Sequence, residues 1–110
     1  MANTPVDTTT LTTIINECFA YSTDLQVAPA DQNSFLIAGK RLRGQLLNLL
    51  SAQFDNTTAQ FAAATKSLTS VNATLATDAT ALANTATTLK NIGTLVSNLD
   101  KLLTVATSFV

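Results

Sequence analysis

Residues 54–110, written seven to a group, read FDNTTAQ FAAATKS LTSVNAT LATDATA LANTATT LKNIGTL VSNLDKL LTVATSF V. Every group opens on an apolar residue: Phe54, Phe61, Leu68, Leu75, Leu82, Leu89, Val96, Leu103 and Val110. A seven-residue return keeps one stripe on one face of a helix underwound to about 3.5 residues per turn, the geometry of helices packed side by side. The stripe specifies packing and carries no chemistry of its own.

It is uneven along its length. Three residues after each stripe position come Thr57, Ala64, Val71, Asp78 and Thr85, so the second seam of an ordinary coiled coil is small or polar here. Asp78 in that seam is a candidate register residue, pairing with Lys66 or Lys90 of a neighbour; the plainer reading is a seam that faces water at mid-helix. From Ile92 the apolar set broadens to Ile92, Leu95, Val96, Leu99, Leu102, Leu103, Ala106, Phe109 and Val110, enough to meet two helices, with Gly93 at the change. A single helix over 57–108 would be about 78 Å long at 1.5 Å per residue. Such a length needs a fold-back near Ala76 to Thr80, a kink at Gly93, or neighbouring chains.

Upstream, residues 1–6 read as a flexible start, and Asp7 or Thr8 supplies an N-cap oxygen for helix one over 8–27. Its apolar positions Leu11, Ile14, Ile15, Cys18, Phe19 and Leu25 follow the spacing of one buried face. Pro29 stops it. After a short connector, Asp31 or Ser34 caps helix two over 31–54, whose apolar set of Phe35, Leu36, Ile37, Leu42, Leu46, Leu47, Leu49, Leu50 and Phe54 is wider than one seam requires. Gly39 and Gly44 cost this helix about 1 kcal/mol each relative to Ala and allow close approach of a neighbour. Thr57 and Gln60 have the form of a capping box, yet the unbroken phase from Leu47 through Phe54 to Phe61 favours a helix that continues. The fold expected is all-α: a single domain over 1–110, with two shorter helices before a long heptad-patterned helix or helical hairpin at 57–108.

Composition bounds the function. Charged residues are 12% of the 110, about half the usual ~25%, and the net charge of −1 gives little repulsion between copies. Aromatics are 5%, so the core is thin or shared with another chain. Dispersed cations argue against nucleic-acid binding. The sequence has no His and one Cys, which removes the commonest general base and metal ligand together with any internal disulfide. Cys18 lies on an apolar helical face, where a thiol behaves as a small hydrophobe. The carboxylates form no acid–base or di-metal pair, and no phosphate loop or nucleophile set occurs. The matches to the glycosylation pattern at Asn56 and Asn72 are chance matches without a secretion signal.

The one concentration of charge is Lys40, Arg41 and Arg43. Its functional reading is contact with acidic lipid, a phosphate or an acidic partner; otherwise it is the solvated side of helix two, or pairs with scattered Asp residues. With no basic region followed by an apolar run at the start and no uncharged membrane-length stretch, the expected location at synthesis is the cytoplasm, leaving specialised export open. The expected role is non-catalytic and structural, without cofactor, metal or small-molecule substrate: a self-associating helical subunit of a homo-oligomer or filament. Its association stripe would be Leu36, Leu47, Phe54, Phe61, Leu68, Leu75, Leu82, Leu89, Val96, Leu99 and Leu103. The alternatives are a membrane-active or pore-forming helical protein, less favoured, and a small adaptor or immunity-type bundle that binds one protein partner through helix two.

Overall fold

A computed structural model describes residues 3–50, 52–77, 82–105 and 107–108. Its elements in chain order are β1 (Asn3–Thr4), α1 (Thr8–Ser22), α2 (Pro29–Leu49), β2 (Ala52–Asp55), α3 (Ala59–Ala76), α4 (Thr85–Leu103) and β3 (Thr107–Ser108). The protein is mostly helical, and its four long helices form one elongated bundle of 46 × 21 × 19 Å.

Local chemistry sets the helix bounds. α1 starts where Asp7 accepts hydrogen bonds from the Thr10 backbone N–H at 3.0 Å and the Thr10 hydroxyl at 2.6 Å. It ends at Ser22, short of the expected Val27, because the Ser22 and Thr23 hydroxyls donate to the carbonyls of Phe19 and Ala20 and the Asp24 side chain accepts from the Gln26 N–H. Such local bonds offer the backbone an alternative to another helical turn. Leu25 is consequently 97% exposed, while Val27 turns back into the core. α2 begins earlier than residue 31: Ala28 is its N-cap without a side-chain bond, and Pro29 takes the first helical position, where its missing N–H costs nothing and its fixed φ suits the helix. Pro29, expected to stop helix one, instead begins helix two, α1 having already ended at Ser22.

The expected continuation from helix two to Phe54 and beyond is replaced by an extended segment. α2 stops at Leu49, and β2 pairs antiparallel with β1 on one side (Asn3 opposite Asp55, Thr4 opposite Phe54) and with β3 on the other (Ala52 opposite Ser108, Gln53 opposite Thr107). The Asp55 carboxylate accepts from the Thr57 N–H at 2.9 Å and hydroxyl at 2.6 Å, forming a turn that resets the chain. Thr58, rather than Thr57, caps α3, accepting from the Phe61 N–H. The seven-residue phase therefore runs unbroken through Phe54 although the helix does not. Residues 3–6, expected to be flexible, are held by this ribbon and by the buried Val6.

Among the described residues the long segment after residue 57 is built chiefly of two helices, α3 and α4. Ser67 meets Asn98, and Ser70 lines a shared dent with Asn91, so α3 and α4 run antiparallel. The linking residues 78–81, with Asp78 and most of the expected fold-back at Ala76 to Thr80, lie outside the described residues, as do Phe109 and Val110. Gly93 sits within α4, which runs through it. α1 packs on α2 and α3, and α4 packs on the same two. The connection from α2 to α3 consequently crosses the diagonal of the bundle, carrying β2 over its end. The broad face of α4, with Ile92, Leu95, Val96, Leu99 and Leu102 buried, meets α2 and α3.

Candidate interaction surface

The expected association stripe divides once the chain folds. Phe54, Leu68, Leu75, Val96 and Leu99 are buried within this chain's own core, and Leu36, Phe61, Leu82, Leu89 and Leu103 are half-buried. Leu47 alone among the eleven stands out in solvent, 67% exposed. Lys66 and Lys90 are both exposed; Lys66 lines a small dent of about 170 Å³ between α3 and α4.

Buried polar groups pin the bundle. Tyr21 donates from its hydroxyl to the Leu75 carbonyl at 3.1 Å, joining α1 to the end of α3. Gln45 lies on the buried side of α2 and donates from Nε2 to the Val96 carbonyl at 2.9 Å and to Asp100 Oδ1 at 2.7 Å, joining α2 to α4. Sequence reasoning missed Gln45, although a Gln between Leu42 and Leu49 on an apolar face was the available signal. Its Oε1 and the Thr88 hydroxyl are buried without a hydrogen-bond partner among the described residues. Each such group costs roughly 1–3 kcal/mol.

The thiol of Cys18 is fully buried, and burial, reinforced by the neighbouring charge of Glu17, pushes its pKa up to about 12. A thiol so rarely ionised is a poor nucleophile. Among the described residues no group of three or more Cys, Asp or Glu side chains could hold a metal ion, and no helix is long and apolar enough to cross a membrane.

What remains available for recognition is α2. At its C-terminal end Leu47 and Leu50, 67% and 62% exposed, lie one turn apart on the outside. Gly44 precedes Leu47 by one turn, and a Cβ added there would meet nothing within 4 Å. Gly39 differs: a Cβ there would come within 2.9 Å of the Phe19 ring, so this glycine accommodates a side chain of α1. The Arg43 guanidinium lies 5.7 Å from the centre of the same ring.

The N-terminal half of α2 borders a groove of about 310 Å³ shared with α4. Ser34, Ile37, Ala38 and Arg41 form its α2 wall, and Leu89, Ile92, Gly93 and Val96 form the α4 wall. Ile37 is half exposed there, and Gly93 has open space over it. The basic cluster flanks this half of α2: Lys40, Arg41 and Arg43 are exposed, and no carboxylate among the described residues pairs with them. Comparison with protein families, curated proteins and solved structures finds no match.

Proposed function

We propose that this protein is a non-catalytic, self-associating helical subunit, and that copies meet through the C-terminal end of α2. The observation that carries this reading is the exposed pair Leu47 and Leu50 beside Gly44, whose missing Cβ would meet nothing within 4 Å among the described residues. A second helix can approach closely at glycine, and two leucines one turn apart supply the apolar centre that a helix–helix contact buries. The surface as a whole is sparing in charge as well. Threonines 12, 13, 69, 74 and 94, on the other three helices, donate their hydroxyls to their own helix backbones four residues back. The seven-residue stripe no longer supports coiled-coil assembly, since Phe54, Leu68, Leu75 and Val96 fill this chain's core and Phe61, Leu82, Leu89 and Leu103 pack half-buried against it.

Light scattering over a concentration series tests the reading. The mass should rise with concentration in the native chain, while Leu47→Glu should remain monomeric with unchanged helical circular dichroism. A native chain that stays monomeric at high concentration, or a Leu47→Glu chain that assembles equally well, would overturn it.

A further inference from the structure

We propose that the groove between α2 and α4 is a docking site for an acidic amphipathic helix of a partner protein. One bulky aliphatic side chain would fill the space over Gly93, and flanking carboxylates would meet Arg41 and Lys40. This surface is separate from Leu47 and Leu50.

Three observations converge on it. The walls offered by Ile37, Leu89 and Val96 are apolar, and the groove's 310 Å³ falls at the lower end of the ~300–1,000 Å³ range of ligand-binding clefts. Gly93 keeps the groove open although the fold does not require it: nothing lies within 4 Å of the Cβ it lacks, and glycine inside a helix costs about 1 kcal/mol relative to alanine. The charged side chain that lines the groove is cationic. Arg41 stands in its wall and exposed Lys40 precedes it in the helix, neither with a carboxylate partner among the described residues, while the one carboxylate nearby in α2, Asp31, lies a turn beyond the Ser34 end and accepts a hydrogen bond from Thr85. An apolar trough with a cationic rim selects an occupant whose apolar ridge carries negative flanks. A helical ridge reaches a floor recessed between two helices, whereas a bilayer surface favours apolar groups that protrude.

The test uses the full chain carrying Leu47→Glu, which separates this site from self-association. The probe is a fluorescein-labelled synthetic peptide with Leu at i, i+3, i+4 and i+7 and Glu at its other positions. Binding by anisotropy should weaken about tenfold or more with Gly93→Leu, which fills the trough, and likewise with Arg41→Glu. A peptide of the same length and Leu spacing with Lys in place of Glu should bind weakly or not at all. Gly93→Leu improves helix propensity, so circular dichroism should show an intact fold. The proposal is overturned if the Leu/Glu peptide does not bind, if Gly93→Leu leaves its affinity unchanged, or if the Lys peptide is preferred. It fails too if the chain is retained by anionic phosphatidylserine vesicles and ignores the peptide.

Discussion

The two hairpins of this bundle are built from unlike material. Between α1 and α2 rings join the aliphatic side chains: Tyr21 and Phe35 lie 5.2 Å apart between centroids, and Phe19 packs over Gly39 and under Arg43. Between α3 and α4 the interior is Ala64, Leu68, Val71 and Leu75 against the aliphatic face of α4, with one side-chain hydrogen bond, Asn98 to Ser67 at 2.6 Å. An aromatic residue buries about 150–250 Å², and each buried Å² is worth roughly 25 cal/mol. The first hairpin therefore holds more stabilisation per helical turn, and the second is the part expected to open first.

The largest effect that tests this contrast is a pair of core deletions. Phe35→Ala should cost about 3–5 kcal/mol and Leu68→Ala about 2–3 kcal/mol, measured by urea unfolding. Native-state hydrogen exchange should be faster in the middle of α3 than in the middle of α2. Equal costs, or a slower-exchanging α3, would break the contrast.

That thinness was legible in the sequence, and so was the division of labour around it. The broad set from Ile92 gave the right number of neighbours for α4, whereas the lean α3 also meets two helices, because small residues such as Ala64 let α1 and α4 approach it without a wide apolar face. The width of helix two was also visible, but it was read as burial on more than one side. Ile37, Leu47 and Leu50 are instead exposed, since an apolar pattern records which positions are greasy and not whether this chain or another covers them. The ribbon at β2 was hidden for a different reason. The capping-box form of Thr57 and Gln60 marked a helix start there, and the bonds of Asp55 and Thr57 do reset the chain, but Phe54 and Phe61 keep a seven-residue interval by serving the same core from two elements, with centroids 6.3 Å apart. Pairing with residues 3–4 and 107–108 depends on tertiary proximity, which periodicity does not encode. The outer α2 surface was therefore legible in composition, as a basic cluster with excess apolar residues, and its groove was not.

Glycines sharpen the comparison at an intermediate scale. Gly39→Ala places a Cβ 2.9 Å from the Phe19 ring, and Arg43 hinders the ring's escape. The gain in helix propensity offsets part of the overlap, leaving a net loss of about 1 kcal/mol. Gly93→Ala and Gly44→Ala meet no such neighbour and should each gain up to about 1 kcal/mol. Opposite signs in one set of melting curves would show that close packing is confined to the α1–α2 interface. A stabilising Gly39→Ala would mean that Phe19 moves aside freely.

The smallest expected effect is electrostatic and distinguishes the helix starts. Hydrogen bonds from the Thr10 hydroxyl and N–H hold the Asp7 carboxyl below its ordinary 3.8, and the Thr57 hydroxyl and N–H do the same for Asp55 just before α3. A depressed folded-state pKa means that the unfolded chain binds protons more readily. The stabilisation is accordingly complete above about the unfolded value and is lost as pH falls through the lower folded value. Asn84, which precedes α4, has no carboxylate and makes no side-chain cap bond. Acidification from pH 5 to below 3 should therefore lower amide protection, the exchange rate taken relative to the intrinsic rate at each pH, at Thr10 and Thr57 more than at Thr88, whose N–H is bonded to the Asn84 carbonyl. Asp7→Ala should remove the response at Thr10 and cost about 1 kcal/mol at neutral pH, with solvent screening holding it near the low end of the capping range. If Thr88 responds as strongly as Thr10, the acid effect belongs to the whole bundle and the starts of α1 and α3 are not separately held.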